Sequence, residues 1–189
     1  MIGVAQPFRA ATGVRFAPLC SVLPKRPRLA TFDYLGRYRY FLTFCTAGRH
    51  DAFVSDEPVC LVRSEILIAS STCDFAISAY VFMPDHLHLL VTGTTGTSDL
   101  QRFAKLAKQR SAFTYSHAKR RRLWQASYYD HVLRPEESSL SFIHYMFQNP
   151  VRAGLVEQWI DYPYLGSETM SLREIECALD EAGAASWGP

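Results

Sequence analysis

"MPDHLHLLVTG", residues 83–93, is an apolar run entered through a Pro-Asp turn signal and interrupted by two histidines spaced two apart, His86 and His88. Side chains of a β-strand alternate between faces, so residues i and i+2 point the same way, about 7 Å apart. The run therefore reads as a strand with His86 and His88 on one face and Leu87, Leu89 and Val91 on the other. Two neutral imidazoles so placed can reach one cation, and imidazole is the commonest metal-donating side chain. At this point the pair has two readings: half of a metal site, or two strand histidines that each hydrogen-bond a neighbour.

Working outward, "FAISAYVFM" (75–83) is a second strand, so the "PDH" turn closes a hairpin. "YRYFLTFCT" (38–46) is aromatic and β-branched with alternation, another strand. Between them, Asp56 and Glu57 precede Pro58, and Val59, Val62, Ile66 and Ala69 recur at helical spacing. After the hairpin, Ser98 with Gln101 forms a capping-box pattern, and Leu100, Phe103, Ala107 and Phe113 give an imperfect apolar stripe with Arg102, Lys105 and Lys108 off it. "HAKRRRLWQAS" (117–127) is a basic connection, "YYDHVLR" (128–134) a short strand, and "EESSLSFIHYMFQN" (136–149) a helix with an acidic start that stops at Pro150. The order strand, helix, strand, strand, helix, strand, helix predicts an α+β fold. It is the ferredoxin-like split βαβ arrangement, an antiparallel sheet with helices packed on it and one added C-terminal helix.

The chain has 189 residues, 48% of them hydrophobic and 13% aromatic, enough for one well-buried domain. Net charge is only +2, so affinity for nucleic acid must come from clustering, and Lys105, Lys108, Arg110, Lys119, Arg120, Arg121 and Arg122 do cluster. This run is either a solvated turn or a track for phosphates, with Trp124 among aromatics on which unpaired bases could stack. The five cysteines form no C-x-x-C pair, as expected for reduced thiols in a cytoplasmic protein, and no apolar run is long enough to span a membrane. Residues 1–27, with four prolines and the basic "KRPR" beginning at 25, read as an extended arm.

On the last predicted helix, Leu140, Ile143, His144 and Phe147 cluster on one side, while Tyr145 and Asn149 lie one turn apart on nearly the opposite side. One reading makes Tyr145 a surface or secondary-contact tyrosine and Asn149 the N-cap of a new helix that begins at Pro150. The other closes this second face over the histidine strand, with Asn149 lending an amide oxygen to a metal and Tyr145 presenting a phenol to a substrate.

"MPDHLHLLV", "LWQASYYDHVLR" and "YMFQNPVRAGLV", followed by "DYPYLGS", resemble the HUH-class single-tyrosine transposases, in particular the REP-associated branch. The similarity covers residues 28–167, leaving residues 168–189 as a tail with room for a short helix. What the resemblance implies is a metal-dependent single-strand DNA endonuclease and strand transferase acting on hairpin or repeat DNA. Tyr145 would be the nucleophile, forming a 5′-phosphotyrosine and a free 3′-hydroxyl. His86 and His88 would be metal ligands for Mg2+ or Mn2+. Many members of the wider class carry glutamine four residues after the tyrosine as third ligand; this chain has Asn149 there, with Asp85 or water to fill open positions. Single-stranded DNA would be held by Lys105, Lys108, Arg110, Arg120, Arg121, Arg122 and Trp124, with Arg152 a further phosphate contact. Monomer and homodimer both remain open, and no membrane is expected. The competing reading is a non-catalytic nucleic-acid-binding ferredoxin-like module.

Overall fold

β2 (Phe75–Met83) and β3 (His86–Gly93) form the predicted hairpin about the Pro84–Asp85 turn. The structure is a computed structural model that describes residues 32–183, so the arm expected over 1–27 lies outside the described residues. The other elements are β1 (Arg39–Cys45), α1 (Asp56–Thr72), α2 (Leu100–Lys119), β4 (Tyr129–Val132), α3 (Ser139–Phe147), α4 (Asn149–Arg152), β5 (Leu165–Gly166) and α5 (Leu172–Gly183). The strands make one antiparallel sheet in the order β4-β1-β3-β2-β5. Its first four positions are those of the split βαβ fold.

The central strands β1 and β3 bury both faces. Tyr40, Leu42 and Phe44 of β1 with Leu87, Leu89 and Val91 of β3 meet Val62 and Ile66 of α1 and Phe103 and Ala107 of α2. On the opposite face, Phe41 and Leu90 meet Ile143, Met146 and Phe147 of α3 and Ile175 and Leu179 of α5. At about 1.5–3 kcal/mol for each fully buried large apolar side chain, both cores contribute substantially to stability. β2 serves both by means of a bulge. Its register against β3 shifts between Ile77 and Ala79. Phe75 and Ile77 therefore face the α1–α2 core while Ala79, Val81 and Met83 face α3, a parity change that simple alternation does not reveal.

Several local expectations are corrected. Asp99, not Ser98, caps α2: its Oδ1 accepts from the Arg102 amide at 3.0 Å, while the Ser98 hydroxyl donates to the Asp74 carbonyl at 2.7 Å. Phe113 is not on the core stripe but 76% exposed, because the buried positions run through Ala104, Ala107, Ser111 and Tyr115. α3 begins at Ser139 rather than 136, since the Glu137 carboxylate turns back to accept from the Arg134 amide and engage His131. Pro150 does not end the helical run; the break falls at Gln148, and Pro150 sits in the first turn of α4, where its missing N–H costs nothing. In the segment read as a tail, α5 inserts Ile175 and Leu179 into the second core.

Candidate active site

His86 and His88 lie on the α3 side of the sheet, both buried, at 6% and 7% exposure. Their rings stand nearly perpendicular, at 83°, and bring the two Nε2 atoms to 3.1 Å. Each Nδ1 has its own partner. His86 Nδ1 meets Asp85 Oδ1 at 2.6 Å, and His88 Nδ1 meets the hydroxyl of Thr43, its cross-strand partner, at 2.9 Å. The Asp85 carboxylate accepts a hydrogen bond from His86 Nδ1–H, the tautomer that turns a lone pair of Nε2 outward. A hydroxyl can donate or accept, so Thr43 can hold His88 in either tautomer, including the one that leaves its Nε2 free to ligate.

This donor set fits a divalent cation. Two neighbouring ligands bound at about 2.1 Å are separated by roughly 3 Å, close to the spacing the rings already have. Burial, the nearby His86 and the Arg152 and Arg49 guanidiniums hold the His88 pKa well below the ordinary imidazole value, so the ring is neutral. Burial alone would push the Asp85 carboxyl up. The hydrogen bond from His86 and the Arg49 guanidinium outweigh it and hold the carboxyl below its ordinary value. Asp85, offered with water as a filler of open coordination positions, places Oδ1 on His86 and Oδ2 on Arg49 Nε at 2.8 Å. Among the described residues no group of three or more His, Cys, Asp and Glu side chains is placed to hold a metal.

Phe41 links the histidines to the tyrosine. Its ring stacks on His88 with centroids 5.2 Å apart and meets the Tyr145 ring edge-on at 6.2 Å. Tyr145 is half-buried against this core, a secondary contact outside the Ile143–Phe147 interior. The Arg152 guanidinium lies 4.7 Å from the Tyr145 ring centre and donates to the Tyr145 carbonyl at 2.7 Å. Asn149 turns its amide nitrogen onto the carbonyls of Tyr145 and Met146, and its Oδ1 accepts from Arg152 at 2.9 Å. It caps the end of α3 by its side chain and is not the N-cap of α4, a position held by Gln148.

The basic cluster belongs to the opposite layer, on the α2 side of the sheet. Lys108 is half-buried there and donates to the carbonyls of Gln125, Ala126 and Ser127 at 2.8, 3.1 and 3.0 Å. Burial pulls its pKa down to about 8, although three carbonyl acceptors favour the charged ammonium. Arg110 pairs with Glu65 at 2.8 Å across α1 and α2. Trp124 is no stacking platform: it is 3% exposed, wedged against Phe44 and Phe53, with its indole N–H donating to Ser111 at 2.9 Å. Lys105, Arg120, Arg121 and Arg122 are exposed, and Arg120 caps the C-terminus of α2 in a left-handed conformation. Sequence reading missed Thr43, Phe41 and Arg49, whose roles follow from β1–β3 pairing and a loop fold that no local motif announces.

Residues 35–149, which include both histidines, Tyr145 and Asn149, match the family described as Transposase IS200 like. The chain belongs to the IS200-like transposase family. Over 105 residues it is 29% identical to a REP-associated tyrosine transposase of Escherichia coli K12, covering 55% of this chain and 61% of that relative's length. The solved structure of a REP-associated tyrosine transposase bound to a REP hairpin superposes with a TM-score of 0.62 at 23% identity, covering 76% of this chain and 82% of that one. The second likeness is one of fold: an antiparallel sheet with helices, as the split βαβ pattern predicts. In this IS200-like transposase no described helix is long and apolar enough to cross a membrane.

Proposed function

We propose that this IS200-like transposase nicks and joins single-stranded, hairpin-forming DNA, with Tyr145 as nucleophile and a divalent ion, Mg2+ or Mn2+, held by His86 and His88. The observation that carries the reading is the convergence of two buried Nε2 atoms at 3.1 Å, each ring fixed from behind through Nδ1. When bound, the ion supplies Lewis-acid polarisation of the scissile phosphate and neutralises its charge. Imidazole donors without carboxylates suit Mn2+ at least as well as Mg2+.

Tyr145 supplies the chemistry of the chain itself. A phenol has a pKa of about 10, so its proton must leave as attack begins. The phenolic oxygen forms a bond to phosphorus, the bond from phosphorus to the 3′-oxygen breaks, and that oxygen takes up a proton to leave a 3′-hydroxyl. The 5′ end stays on Tyr145 as a phosphodiester, so a 3′-hydroxyl can reverse the step and join strands without nucleotide hydrolysis. Arg152 is placed to keep the Tyr145 ring and the α3–α4 corner in position, and its charge suits an approaching phosphate. Asn149 Oδ1 retains a second lone pair beside the Arg152 bond and is the candidate third ligand.

Exposed Lys105, Arg120, Arg121 and Arg122 supply phosphate contacts on the α2 face, with the exposed ring of Phe113, stacked on His117 at 6.4 Å, as a surface for an unpaired base. The hairpin bound by the solved relative is the model for the substrate class. Incubating the protein with labelled hairpin DNAs and Mn2+ tests the reading: a covalent adduct that maps to the Tyr145 peptide supports it. Binding without any adduct would instead favour the non-catalytic module.

A further inference from the structure

We propose that Arg49 is a positioning residue for the histidine pair, acting through Asp85. The inference rests on the metal reading above and extends it to a loop that reading does not use. The segment after β1 grips the turn before β3 at several points. The amides of Ala52 and Phe53 donate to the Pro84 carbonyl at 2.7 and 3.0 Å. The Thr46 amide and hydroxyl both donate to the Asp85 carbonyl, at 3.0 and 2.9 Å. Arg49 adds the side-chain clamp, with Nε on Asp85 Oδ2 at 2.8 Å and Nη1 on Cys45 Sγ at 2.9 Å. Cys45 in turn lies directly opposite His86 in the β1–β3 register. The guanidinium is thus braced against β1 while it holds the carboxylate that orients His86.

Two features show that this arrangement is imposed on the chain and not simply permitted. Arg49 has φ +57° and follows Gly48 at +65°, two successive left-handed residues, a conformation uncommon for any residue that carries a side chain. Its Nη2 is buried without a hydrogen-bond partner, although buried polar groups are ordinarily satisfied. The backbone strain and the unpaired donor are both explained if the cation's task is to fix Asp85 as an oriented anion behind the imidazole. Outer partners of ligating histidines commonly change metal affinity by about 10–100-fold when removed.

The test is Mn2+ binding, followed by the electron paramagnetic resonance signal of the free ion, on the full chain and on Arg49→Gln, Arg49→Lys, Asp85→Asn and the Arg49→Gln/Asp85→Asn double variant. Loss of affinity by about tenfold or more in Arg49→Gln is expected. Arg49→Lys, which keeps the charge, should recover part of it. In the Asp85→Asn background Arg49→Gln should add little, because both act along one path. Should Arg49→Gln fail to fold, Arg49→Lys and Asp85→Asn still decide, since full affinity in both overturns the proposal. So does an Arg49→Gln protein that binds Mn2+ within twofold of the parent, or effects that add in the double variant. A parent protein that binds no Mn2+, or a His86→Ala variant that binds as tightly, overturns the metal reading itself and is distinguishable from those outcomes.

Discussion

Arg152 and Asn149 are joined by a 2.9 Å hydrogen bond from guanidinium to amide oxygen, and the same guanidinium covers the Tyr145 ring at 4.7 Å. The cation therefore couples the proposed third ligand to the proposed nucleophile. Arg152→Ala is expected to lower the rate of adduct formation on hairpin DNA by about tenfold or more, equivalent to roughly 1.4 kcal/mol of barrier. Because Arg152 is exposed, the thermal midpoint should shift little. A variant that forms adduct at the parent rate would remove Arg152 from the site.

Tyr145→Phe deletes one oxygen and keeps the ring that meets Phe41 edge-on. Binding of single-stranded hairpin DNA should stay within a few-fold of the parent in a filter or anisotropy assay, while no covalent adduct forms. Full activity in this variant, or an adduct that maps to Tyr128 or Tyr129, would overturn the assignment.

Removing divalent ions with EDTA should stop adduct formation, and Mn2+ should restore it. His86→Ala and His88→Ala should each be inactive at any metal concentration yet retain the far-ultraviolet circular dichroism of the parent. Each variant loses an imidazole from the α3 side without touching the Leu87, Leu89 and Val91 core. Activity that survives chelation would rule out the ion.

Lys108 and the arginine run should separate cleanly. Lys108→Met leaves three carbonyls without their donor and is expected to cost about 1–3 kcal/mol in urea unfolding. Its dependence of DNA affinity on salt should match the parent. Replacing Arg120, Arg121 and Arg122 together by Ala should leave stability nearly unchanged. It should flatten the plot of log affinity against log salt by up to about 0.7 per lost single-strand phosphate contact. The opposite pattern would mean that the two sets had been assigned the wrong way round.

The chain order of strands and helices, the Leu87, Leu89 and Val91 face of β3, and the shared face of His86 and His88 were legible because period-two patterning is local. The clustering of Tyr145 with Asn149 was legible for the same reason, through helical spacing. What escaped reading depends on pairing or on tertiary context. Thr43 reaches His88 only through the β1–β3 register, and the side chain of Trp124 could serve a core or a surface equally well until the walls of Phe44 and Phe53 were in place. Lys108 looks like its neighbour Lys105 in sequence. It differs because its turn of α2 faces the 125–127 loop, whose carbonyls need a donor.

Ser78 gives β2 one spare residue, slack that the β1–β3 pairing does not have. β1 and β3 pair residue for residue from Arg39 with Thr92 to Cys45 with His86. Deleting Ser78 would straighten β2 into an uninterrupted alternation, with every flanking side chain still on the side it occupies now. Deleting Leu87 from β3 would make the two histidines chain neighbours pointing through opposite sides of the sheet. Length variation among related chains is therefore expected to be tolerated in the first strand of this hairpin and excluded from the second.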